Sequence, residues 1–527
     1  MNGVQPLRRR LLGLPVDARP VVRAQVQQLV ASAGWELLLP PVSALGHFRV
    51  PADRDALWRW VQQQAGAVDG LVLSLDMLVY GGLVPSRFIA DPLAVLLARL
   101  HKLRELRARH PGTRLTAFLA TMRLSNNNIA DEEKPYWAEH GTQLWQWSFH
   151  SDRAAVLRAA GGPQADALGS EALAAAVAAR LPEPVRLDYR STRERNFAVA
   201  SAALLLVQGG VIHRLVLPQD DTAAFGFNIA ERRALQAQVQ ALALQDRVLI
   251  YPGADEVMHT LCAHTLRHLQ NTPPLRVALA FSDPPHVAAL QALYEDRPLL
   301  ESVASQIAAV GAQALPAGVT SAGAHDAQAD VLLAVHTQGT EQGDWAMGRP
   351  LPQRPGVDAA WWQRLHAAHA RGQPVSLVDL AFANGGDPWL LARIDQPDRG
   401  AADTLPPLFT YAGWNTASNS LGGALAHLAL AHAAQPQTPW HSPKHRHICA
   451  LRLFEDGCYQ AVLRQALRGC VHEAGCDATT LERQAQELVP VWANAWAAGI
   501  GLPWRVQQLW LPWGRTFEIG LQLQPAP

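Results

Sequence analysis

The sequence predicts an α/β protein, either a (β/α)8-type barrel or a closely related parallel α/β sheet. Apolar runs recur along the 527 residues, and each is followed by a polar or glycine-rich turn and then by a helical pattern. This alternation of strand and helix is typical of parallel sheets. The runs are continuous rather than alternating, as in strands buried on both faces. Apolar residues make up 49% of the chain and charged residues 17%, which allows a large core.

Ten apolar runs are the predicted strands. In chain order they are Leu11–Leu14, Glu36–Leu39, Leu71–Leu75, Leu115–Ala120, Leu215–Leu217, Val248–Tyr251, Val277–Phe281, Val331–Val335, Val375–Leu380 and Leu408–Tyr411. The clearest helical patterns between them cover Pro92–Ala108, Ile229–Leu244 and Val257–Leu269. Because a barrel needs eight strands, either two runs are peripheral or the strands form a doubly wound sheet.

Composition shifts along the chain predict two domains. Residues 1–434 are predicted to form an α/β catalytic domain, with a helical insertion near 137–199 and an inserted βα unit near 274–330. The Pro- and His-rich stretch Gln435–His445 is predicted to be a linker. Residues 446–527 are predicted to form a small C-terminal α+β domain, largely helical over Ile448–Leu488 and strand-like towards Leu523.

Charge and cysteine content narrow the class of protein. Lys+Arg and Asp+Glu balance at 45 each, so no basic excess indicates a nucleic-acid partner. The apolar stretch after Arg8–Arg10 is too short for a signal peptide, and no run approaches the roughly 18 apolar residues that indicate a membrane span. Five cysteines, an odd number, favour free thiols and a cytoplasmic location. The oligomeric state stays open.

Asp220 and Asp221 are the most informative residues of the chain, because they stand side by side after a predicted buried strand. Two like charges within a few ångströms raise the pKa of at least one of them. Enzymes with parallel sheets place their sites at the carboxyl ends of strands. We therefore predict that the pair is catalytic. The alternative is that one aspartate caps the following helix and the other is exposed.

Polar residues follow most of the other predicted strands as well. Asp255 and Glu256 are candidates for a further catalytic carboxylate, although a helix cap followed by a first-turn acid is an equal alternative. The predicted substrate-binding residues are Asp17, Arg19, Asp76, Tyr80, Arg87, Arg123, His336, Asn384, Asp387, Trp414, Asn415 and Asn419. Since ligands bind at the carboxyl ends of parallel strands, these residues are predicted to share one polar pocket.

Several of these residues have ordinary structural alternatives. Asp17 and Arg19 can form a local ion pair, the stretch Asn384–Asp387 can be a tight turn, and Trp414 can be a core residue. No metal site and no cofactor are predicted, because neither His264 with His268 nor the group His441, His445, His447 and Cys449 has zinc-site spacing. Phosphate-binding loops of the Gly-rich types and the Gly-x-Ser-x-Gly elbow are also missing from the sequence.

The chain resembles a bacterial family catalogued as domain of unknown function 4127. The resemblance covers nearly the whole chain and rests on the stretches Leu14–Pro20, Leu73–Arg87, Pro218–Ala224, Pro252–Glu256, Ala383–Asp387, Tyr411–Thr416 and Pro512–Glu518. This family brings no established activity with it.

The Asp220–Asp221 pair is also similar to the Asp-Asp pair of O-GlcNAcase and hyaluronidase-like glycosidases. In those enzymes one aspartate orients the substrate's acetamido group, and the other is the general acid. The acetamido oxygen takes the place of an enzyme nucleophile. Their Trp- and Asn-rich strand end is loosely similar to Trp414, Asn415 and Asn419. This likeness is an analogy to a site and covers few residues.

The sequence thus predicts an enzyme, a glycoside hydrolase that acts on small amino-sugar glycosides such as N-acetylhexosaminides. Two alternatives stay open. One is a metal-dependent hydrolase, isomerase or lyase acting on a sugar derivative, with Asp17, Asp76, Asp220, Asp255 and His336 as ligands of a divalent cation. The other is a non-catalytic sugar-binding protein, against which the density of carboxylates argues.

Overall fold

The structure is a computed structural model that describes residues 8–161, 164–316, 325–394, 404–434, 442–474 and 477–527. Most of the predicted linker, residues 435–441, and part of the predicted inserted unit, residues 317–324, lie outside the described residues. Across the described ranges, every helix is too short or too polar to cross a bilayer.

All ten predicted strands are present within one or two residues of their predicted bounds. The described strands are β1 (Arg10–Leu14), β2 (Glu36–Leu38), β3 (Gly70–Ser74), β4 (Arg114–Phe118), β5 (Arg214–Gln219), β6 (Val248–Pro252), β7 (Arg276–Phe281), β8 (Gln313–Ala314), β9 (Val331–His336), β10 (Gly343–Asp344), β11 (Val375–Asp379), β12 (Phe382–Ala383), β13 (Thr410–Ala412), β14 (Trp504–Trp510) and β15 (Gly520–Pro525). The unpredicted strands β8, β10 and β12 have two residues each, too few to show a period.

The helical predictions are also confirmed. The described α-helices are α1 (Ala24–Ser32), α2 (Arg54–Gln64), α3 (Leu75–Val79), α4 (Leu93–Arg109), α5 (Trp137–Ala159), α6 (Gln164–Arg180), α7 (Glu183–Gln208), α8 (Phe227–Ala241), α9 (Val257–Gln270), α10 (Pro284–Val287), α11 (Leu299–Val310), α12 (Ala359–Ala370), α13 (Pro388–Leu391), α14 (Ala417–Ala433), α15 (Pro443–Arg452), α16 (Arg464–Ala474) and α17 (Ala478–Gly499). A π-helix, Leu453–Leu463, joins α15 to α16. The Ala-rich stretch predicted as a helical insertion forms α5, α6 and most of α7.

The chain divides into two compact units. The first unit comprises Met1–Ala18, Leu37–Met258 and Tyr294–Asp296, and the second comprises Arg19–Glu36, His259–Leu293 and Arg297–Pro527. The predicted domain boundaries at residues 434 and 446 stay a prediction.

The first unit is built on a six-stranded sheet of order β2-β1-β3-β4-β5-β6, and the strand pairs recorded for it are parallel. Alternate residues of the central strands, such as Leu12, Leu71 and Leu215, pack into one core on one face of the sheet. Their neighbours Leu11 and Val72 are buried on the other face. This double burial is why the strands read as continuous apolar runs.

The second unit contains a five-stranded parallel sheet of order β13-β11-β9-β7-β8. Helix α12 covers one face of this sheet through Trp361, Trp362 and Leu365. The helices from α15 onwards and the β14–β15 hairpin form a further core around Phe454 and Leu467. The prediction of an α/β protein with parallel sheets is therefore confirmed, and the (β/α)8-type barrel stays a prediction.

Two buried histidines of the second unit are expected to make its stability depend on pH. His427 Nε2 on α14 lies 3.0 Å from His445 Nδ1 on α15, and both rings pack against Phe409. Burial lowers the pKa of both rings, that of His445 to about 4. Because both folded-state values lie below the ordinary value of 6.5, the pair contributes stability above pH 6.5. That contribution is lost as the pH falls from 6.5 towards 4.

The measurement is the free energy of unfolding by urea at pH 7 and at pH 5. Between these values the variant carrying His427→Leu and His445→Leu should lose less stability than the wild type, by roughly 2 kcal/mol for each histidine removed. The matched control is His369→Leu at an exposed position of α12, which should leave the pH dependence unchanged. Equal losses in the wild type and the double variant would contradict this account.

Candidate functional site

The sixteen residues predicted from the sequence fall into both units, nine in the first and seven in the second, so each group is described within its own unit. The first-unit residues are Asp17, Asp76, Tyr80, Arg87, Arg123, Asp220, Asp221, Asp255 and Glu256. The second-unit residues are Arg19, His336, Asn384, Asp387, Trp414, Asn415 and Asn419.

Asp220 and Asp221 follow the last residue of β5 directly and point to different partners. Asp220 Oδ2 accepts a hydrogen bond of 3.0 Å from Arg87 Nη2, and Asp221 Oδ2 accepts one of 2.8 Å from Ser125 Oγ. The two side chains are 20% and 28% exposed, so both can be reached by a ligand. Asp221 has a φ of 42°, in the left-handed region that a non-glycine residue adopts at a cost. This turn separates the two neighbouring carboxylates.

Two arginines organise the carboxylates at this edge of the sheet. Arg87, whose side chain is 1% exposed, contacts Asp220, Glu132 at 3.0 Å and Glu133 at 3.2 Å. Arg123 bonds Glu133 Oε1 at 2.8 Å, and its Nη1 is 3.1 Å from Glu132 and 3.5 Å from Asp221. Four carboxylates therefore share two guanidiniums.

Asp220 carries a raised pKa in this setting. Burial and the charge of Asp221 raise the pKa of Asp220 to about 7, against the opposing charges of Arg123 and Arg87. The charge of Asp255 acts in the same direction as that of Asp221, which places Asp255 within electrostatic reach of Asp220. A carboxyl group with this pKa can hold a proton near neutral pH and donate it.

Asp76 is a second buried carboxyl group with a raised pKa. It follows β3 and is 0% exposed, and its Oδ2 accepts a hydrogen bond of 3.0 Å from the Ala120 amide at the end of β4. Among the described residues, its Oδ1 has no hydrogen-bond partner. Burial raises the pKa of Asp76 to about 7, although the Ala120 amide and the charge of Arg87 oppose this.

The glycine pair after Asp76 shapes the loop beside it. The main-chain oxygen of Asp76 accepts hydrogen bonds from the amides of Tyr80, Gly81 and Gly82, and both glycines have positive φ. The Leu83 amide bonds the carbonyl of Val16, so the loop that carries Asp17 lies against this turn. In this sheet the strand order changes direction between β1 and β3. Such switch points are where open α/β sheets bind ligands.

The remaining first-unit candidates have more local roles. The carboxylate of Glu256 lies over Gly253, because a Cβ on that glycine would be 2.5 Å from Glu256 Oε1. Tyr80 is buried, and its hydroxyl has no hydrogen-bond partner among the described residues. Burial and the charge of Asp76 raise the pKa of Tyr80 well above its ordinary value.

Three contributors to this cluster are not among the predicted site residues, although Glu132 and Glu133 stand out in the sequence as carboxylates after the fourth predicted strand. Glu132, Glu133 and Ser125 lie in the polar stretch after β4, more than 85 residues before Asp220 in the chain. The adjacent carboxylates Glu132 and Glu133 are a signal in the sequence, because their two negative charges balance the two positive charges of Arg87 and Arg123. Nothing in the sequence indicates that Ser125 bonds Asp221.

Replacing Arg123 with Gln should raise the pKa of Asp220 above about 7, because Arg123 is the strongest of the charges that lower it. We expect an upward change of about one pH unit, the smaller end of what a neighbouring opposite charge produces. The measurement is an NMR titration of protein labelled at the aspartate carboxyl carbon, with the Asp220 signal identified by its loss in Asp220→Asn. Arg59→Gln, at an exposed position of the same unit, is the matched control. An unchanged or lowered Asp220 pKa in Arg123→Gln would count against the proposed electrostatics.

In the second unit, His336 and Asp387 form a buried polar network with residues that the sequence did not indicate. His336 Nε2 lies 3.2 Å from Asp387 Oδ2, and His336 Nδ1 lies 3.0 Å from Ser282 Oγ. Ser282 also bonds both the amide and the carbonyl of Thr337. All three side chains are fully buried, so this serine joins the ends of β7 and β9 and is not an exposed nucleophile.

Two carboxylates of this network have opposite pKa shifts. Burial acts to raise the pKa of Asp387, but hydrogen bonds from His336 and Arg354 lower it to about 2. Burial raises the pKa of Asp379 to about 6, and the charge of His336 limits the rise. Asp379 Oδ2 accepts hydrogen bonds from the Asp387 amide at 2.7 Å and from the Tyr411 hydroxyl at 3.3 Å.

The other second-unit candidates surround the same strand ends. The Asn384 amide bonds the carbonyl of Asn415 at 2.8 Å, and both asparagines have left-handed backbones. Trp414 is 3% exposed, and its ring centre lies 6.2 Å from that of Phe517. Asn419 lies in the first turn of α14, where its amide bonds the Thr416 hydroxyl.

The π-helix adds charged residues that the sequence did not indicate. Asp456 accepts hydrogen bonds from the Gly413 amide and from Arg452, and its carbonyl accepts one from the Gly386 amide. Burial raises the pKa of Glu455 to about 7, against the charge of Arg452. π-Helical segments are frequent at functional sites. A helical pattern alone does not distinguish this geometry from an α-helix.

The model of the family described as "Protein of unknown function (DUF4127)" matches residues 11–522. The chain belongs to this family. No curated protein and no solved structure matches the chain. Within the described residues there is no group of three or more His, Cys, Asp or Glu side chains arranged to hold a metal ion.

Proposed function

We propose that this DUF4127 protein is a glycoside hydrolase that acts on small amino-sugar glycosides, with Asp220 as the general acid. The observation that carries the proposal is the environment of Asp220. Its carboxyl group is raised to a pKa of about 7 by burial and by Asp221, yet its side chain is 20% exposed. Glycosidases need such a proton donor next to a second carboxylate.

In the proposed reaction, Asp220 donates its proton to the glycosidic oxygen while the bond to the anomeric carbon breaks. Asp221, held by Ser125 and near Arg123, stabilises the positive charge that develops on the sugar, or orients the acetamido group of an N-acetylated substrate. In an N-acetylated substrate the acetamido oxygen bonds to the anomeric carbon as the leaving group departs, and water then displaces it. In other substrates water attacks the anomeric carbon directly. In both cases the proton that the water loses returns to the Asp220 carboxylate.

Cys262, Cys449 and Cys458 are buried free thiols. Free thiols favour a reducing compartment, and a cytoplasmic location is part of the same proposal.

The test is a panel of chromogenic hexosides, including N-acetylhexosaminides, incubated with purified protein in the presence and absence of EDTA. We expect release that resists the chelator and is lost in Asp220→Asn. Asp246→Asn, at an exposed position of the same unit, should keep full activity and is the matched control. Release abolished by EDTA would favour metal-dependent chemistry instead. Equal release by the wild type, Asp220→Asn and Asp221→Asn would exclude the aspartate pair.

A further inference from the structure

The second unit contains an apolar cavity that the proposed reaction does not use. Its volume is about 320 Å³, and three stretches of the chain form most of its described wall. They are residues 405–408 before β13, one face of α15 with the start of the π-helix, and residues 500–504 from the end of α17 to the start of β14. Ligand cavities in proteins begin at about 300 Å³, so this space can hold a small molecule.

Apolar side chains from two hydrophobic cores of the unit form this wall. Leu405, Cys449 and Leu453 belong to the core into which α12 packs. Ala450 belongs to the core of the C-terminal helices, and Trp504 packs against that core while staying half-buried. An apolar wall favours an apolar ligand, and the flat Trp504 ring favours a flat ligand beside it.

The main chain around the cavity is held in place, so the cavity exists before a ligand binds. Three of the described lining residues are prolines, whose rings hold φ at about −65°. At the end of α17 the Gly501 amide bonds the carbonyl of Ala498, and the Leu502 amide bonds that of Ala497. These two bonds form a Schellman motif, which the positive φ of Gly501 permits. A preformed cavity binds more tightly, because little free energy is lost in ordering its wall.

Arg446 gives the cavity a positive charge. It is exposed, and it is the only charged residue among the described residues that line the cavity. It lies on α15 one turn before Cys449 and Ala450, on the same face of the helix. Within the part of the chain that the structure describes, its side chain has no hydrogen-bond or ion-pair partner. Its planar donors match the two oxygens of a carboxylate.

We infer that this cavity binds a small molecule that combines a flat apolar body with one carboxylate. The body fills the space beside Trp504, and the carboxylate accepts hydrogen bonds from Arg446. An apolar cavity of about 150 Å³ holds one benzene ring, so about 320 Å³ matches a body of about two fused rings. The cavity belongs to the second unit, and its test does not depend on the proposed hydrolase activity.

The experiment is calorimetric titration of the full-length protein with two probes that share a two-ring body, sodium 2-naphthoate and the neutral 2-naphthalenemethanol. We expect saturable binding of both probes to the wild type at one site per chain. Arg446→Ala should weaken the binding of 2-naphthoate by about three- to tenfold, the usual effect of losing hydrogen bonds to a charged group at an exposed position. The same variant should bind 2-naphthalenemethanol as the wild type does. Arg371→Ala, at another exposed position of the same unit, should bind both probes unchanged.

A second pair of variants locates the binding site. Leu502→Trp adds a large side chain to the wall of the cavity and should abolish the binding of both probes. Val491→Trp adds the same side chain at an exposed position of α17 and should leave binding unchanged. If thermal unfolding shows that Leu502→Trp is not folded, Leu408→Trp takes its place with the same expected loss.

The absence of saturable 2-naphthoate binding to the wild type overturns the inference. Equal binding by the wild type and the folded Leu502→Trp or Leu408→Trp variant also overturns it, because the probe then occupies another place. Equal 2-naphthoate affinities of the wild type and Arg446→Ala overturn the assignment of the carboxylate to Arg446.

Discussion

Asp220→Asn should lower the turnover of a hydrolysed hexoside by a factor of about 10² to 10⁴, the range that a positioned general acid contributes. Asparagine keeps the size of the side chain and can still contact Arg87, but it cannot donate the proton. Substrate binding should change less than turnover, because the loss falls on bond cleavage rather than on recognition. Steady-state kinetics on the best substrate of the hexoside panel measure both quantities.

The pH profile supplies the more specific readout. Since the acid must be protonated, kcat/KM of the wild type should fall as the pH rises through about 7, the pKa of Asp220. Any residual activity of Asp220→Asn should lack this alkaline limb. An unchanged alkaline limb in the variant would show that another group is the acid.

Asp220→Asn should lower activity, but at alkaline pH it should not lower the free energy of unfolding. The folded-state pKa of Asp220 lies above its ordinary value of 3.8, so the folded state holds the proton more tightly than the unfolded state does. The contribution of Asp220 to stability is therefore greatest below pH 3.8 and is lost as the pH rises towards 7. Asparagine stays neutral, and at pH 8 the variant should unfold at a free energy equal to or above that of the wild type. A less stable, inactive variant would instead indicate a structural role for Asp220.

The sequence was sufficient to locate the strands. A strand that is buried on both faces is a continuous apolar run, which can be recognised without an alternation of apolar and polar residues. The runs around Leu71 and Val331 are examples, since they match β3 and β9 closely. The arrangement of those strands was not accessible in the same way. Which strands are neighbours depends on contacts between residues far apart in the chain, such as Leu11 beside Gly70. The spacing of apolar residues along the chain does not indicate which strands pair.

The sheets of the two units have the same strand order, a similarity that no repeat in the sequence indicates. Counted in order along each unit, the first five strands of the first sheet and the five strands of the second are both arranged 2-1-3-4-5. The order changes direction between β1 and β3 in one sheet and between β7 and β9 in the other. Asp17 and Asp76 follow the first pair of strands, and Ser282 and His336 mark the ends of the second.

The sequence located polar residues that lie at, or just after, the carboxyl end of a strand, and their role in a site stays a prediction. Asp220, Asp76 and His336 were found in this way, because the position of a strand end is a local property of the sequence. Ser125 was not found, because its contact with Asp221 depends on the fold bringing the two residues together. Trp414, predicted from the sequence to bind substrate, is 3% exposed, and that role stays a prediction.

Gly386→Ala should produce a large loss of stability in the second unit. A Cβ at this position would overlap the Tyr411 hydroxyl and lie 3.1 Å from Asp379 Oδ2, both buried parts of the strand-end network. Neither partner can move freely, because the Asp387 amide holds Asp379 and Tyr411 lies within β13. We expect a loss of at least about 3 kcal/mol in the free energy of unfolding, the upper part of the range for overpacked cores. Urea denaturation measures it.

Tyr411→Phe is the matched partner, because it removes the one oxygen that the new methyl group would overlap and keeps the ring. Alone, Tyr411→Phe should lower the free energy of unfolding by about 1 to 3 kcal/mol, because it removes only the hydrogen bond to the Asp379 carboxylate. In the Gly386→Ala background it should instead recover stability, so the two changes should be strongly non-additive. Losses that simply add would mean that the clash is not with the hydroxyl. The cost of Gly386→Ala would then have to come from the main chain at the Asn384–Asp387 turn rather than from its contact with Tyr411.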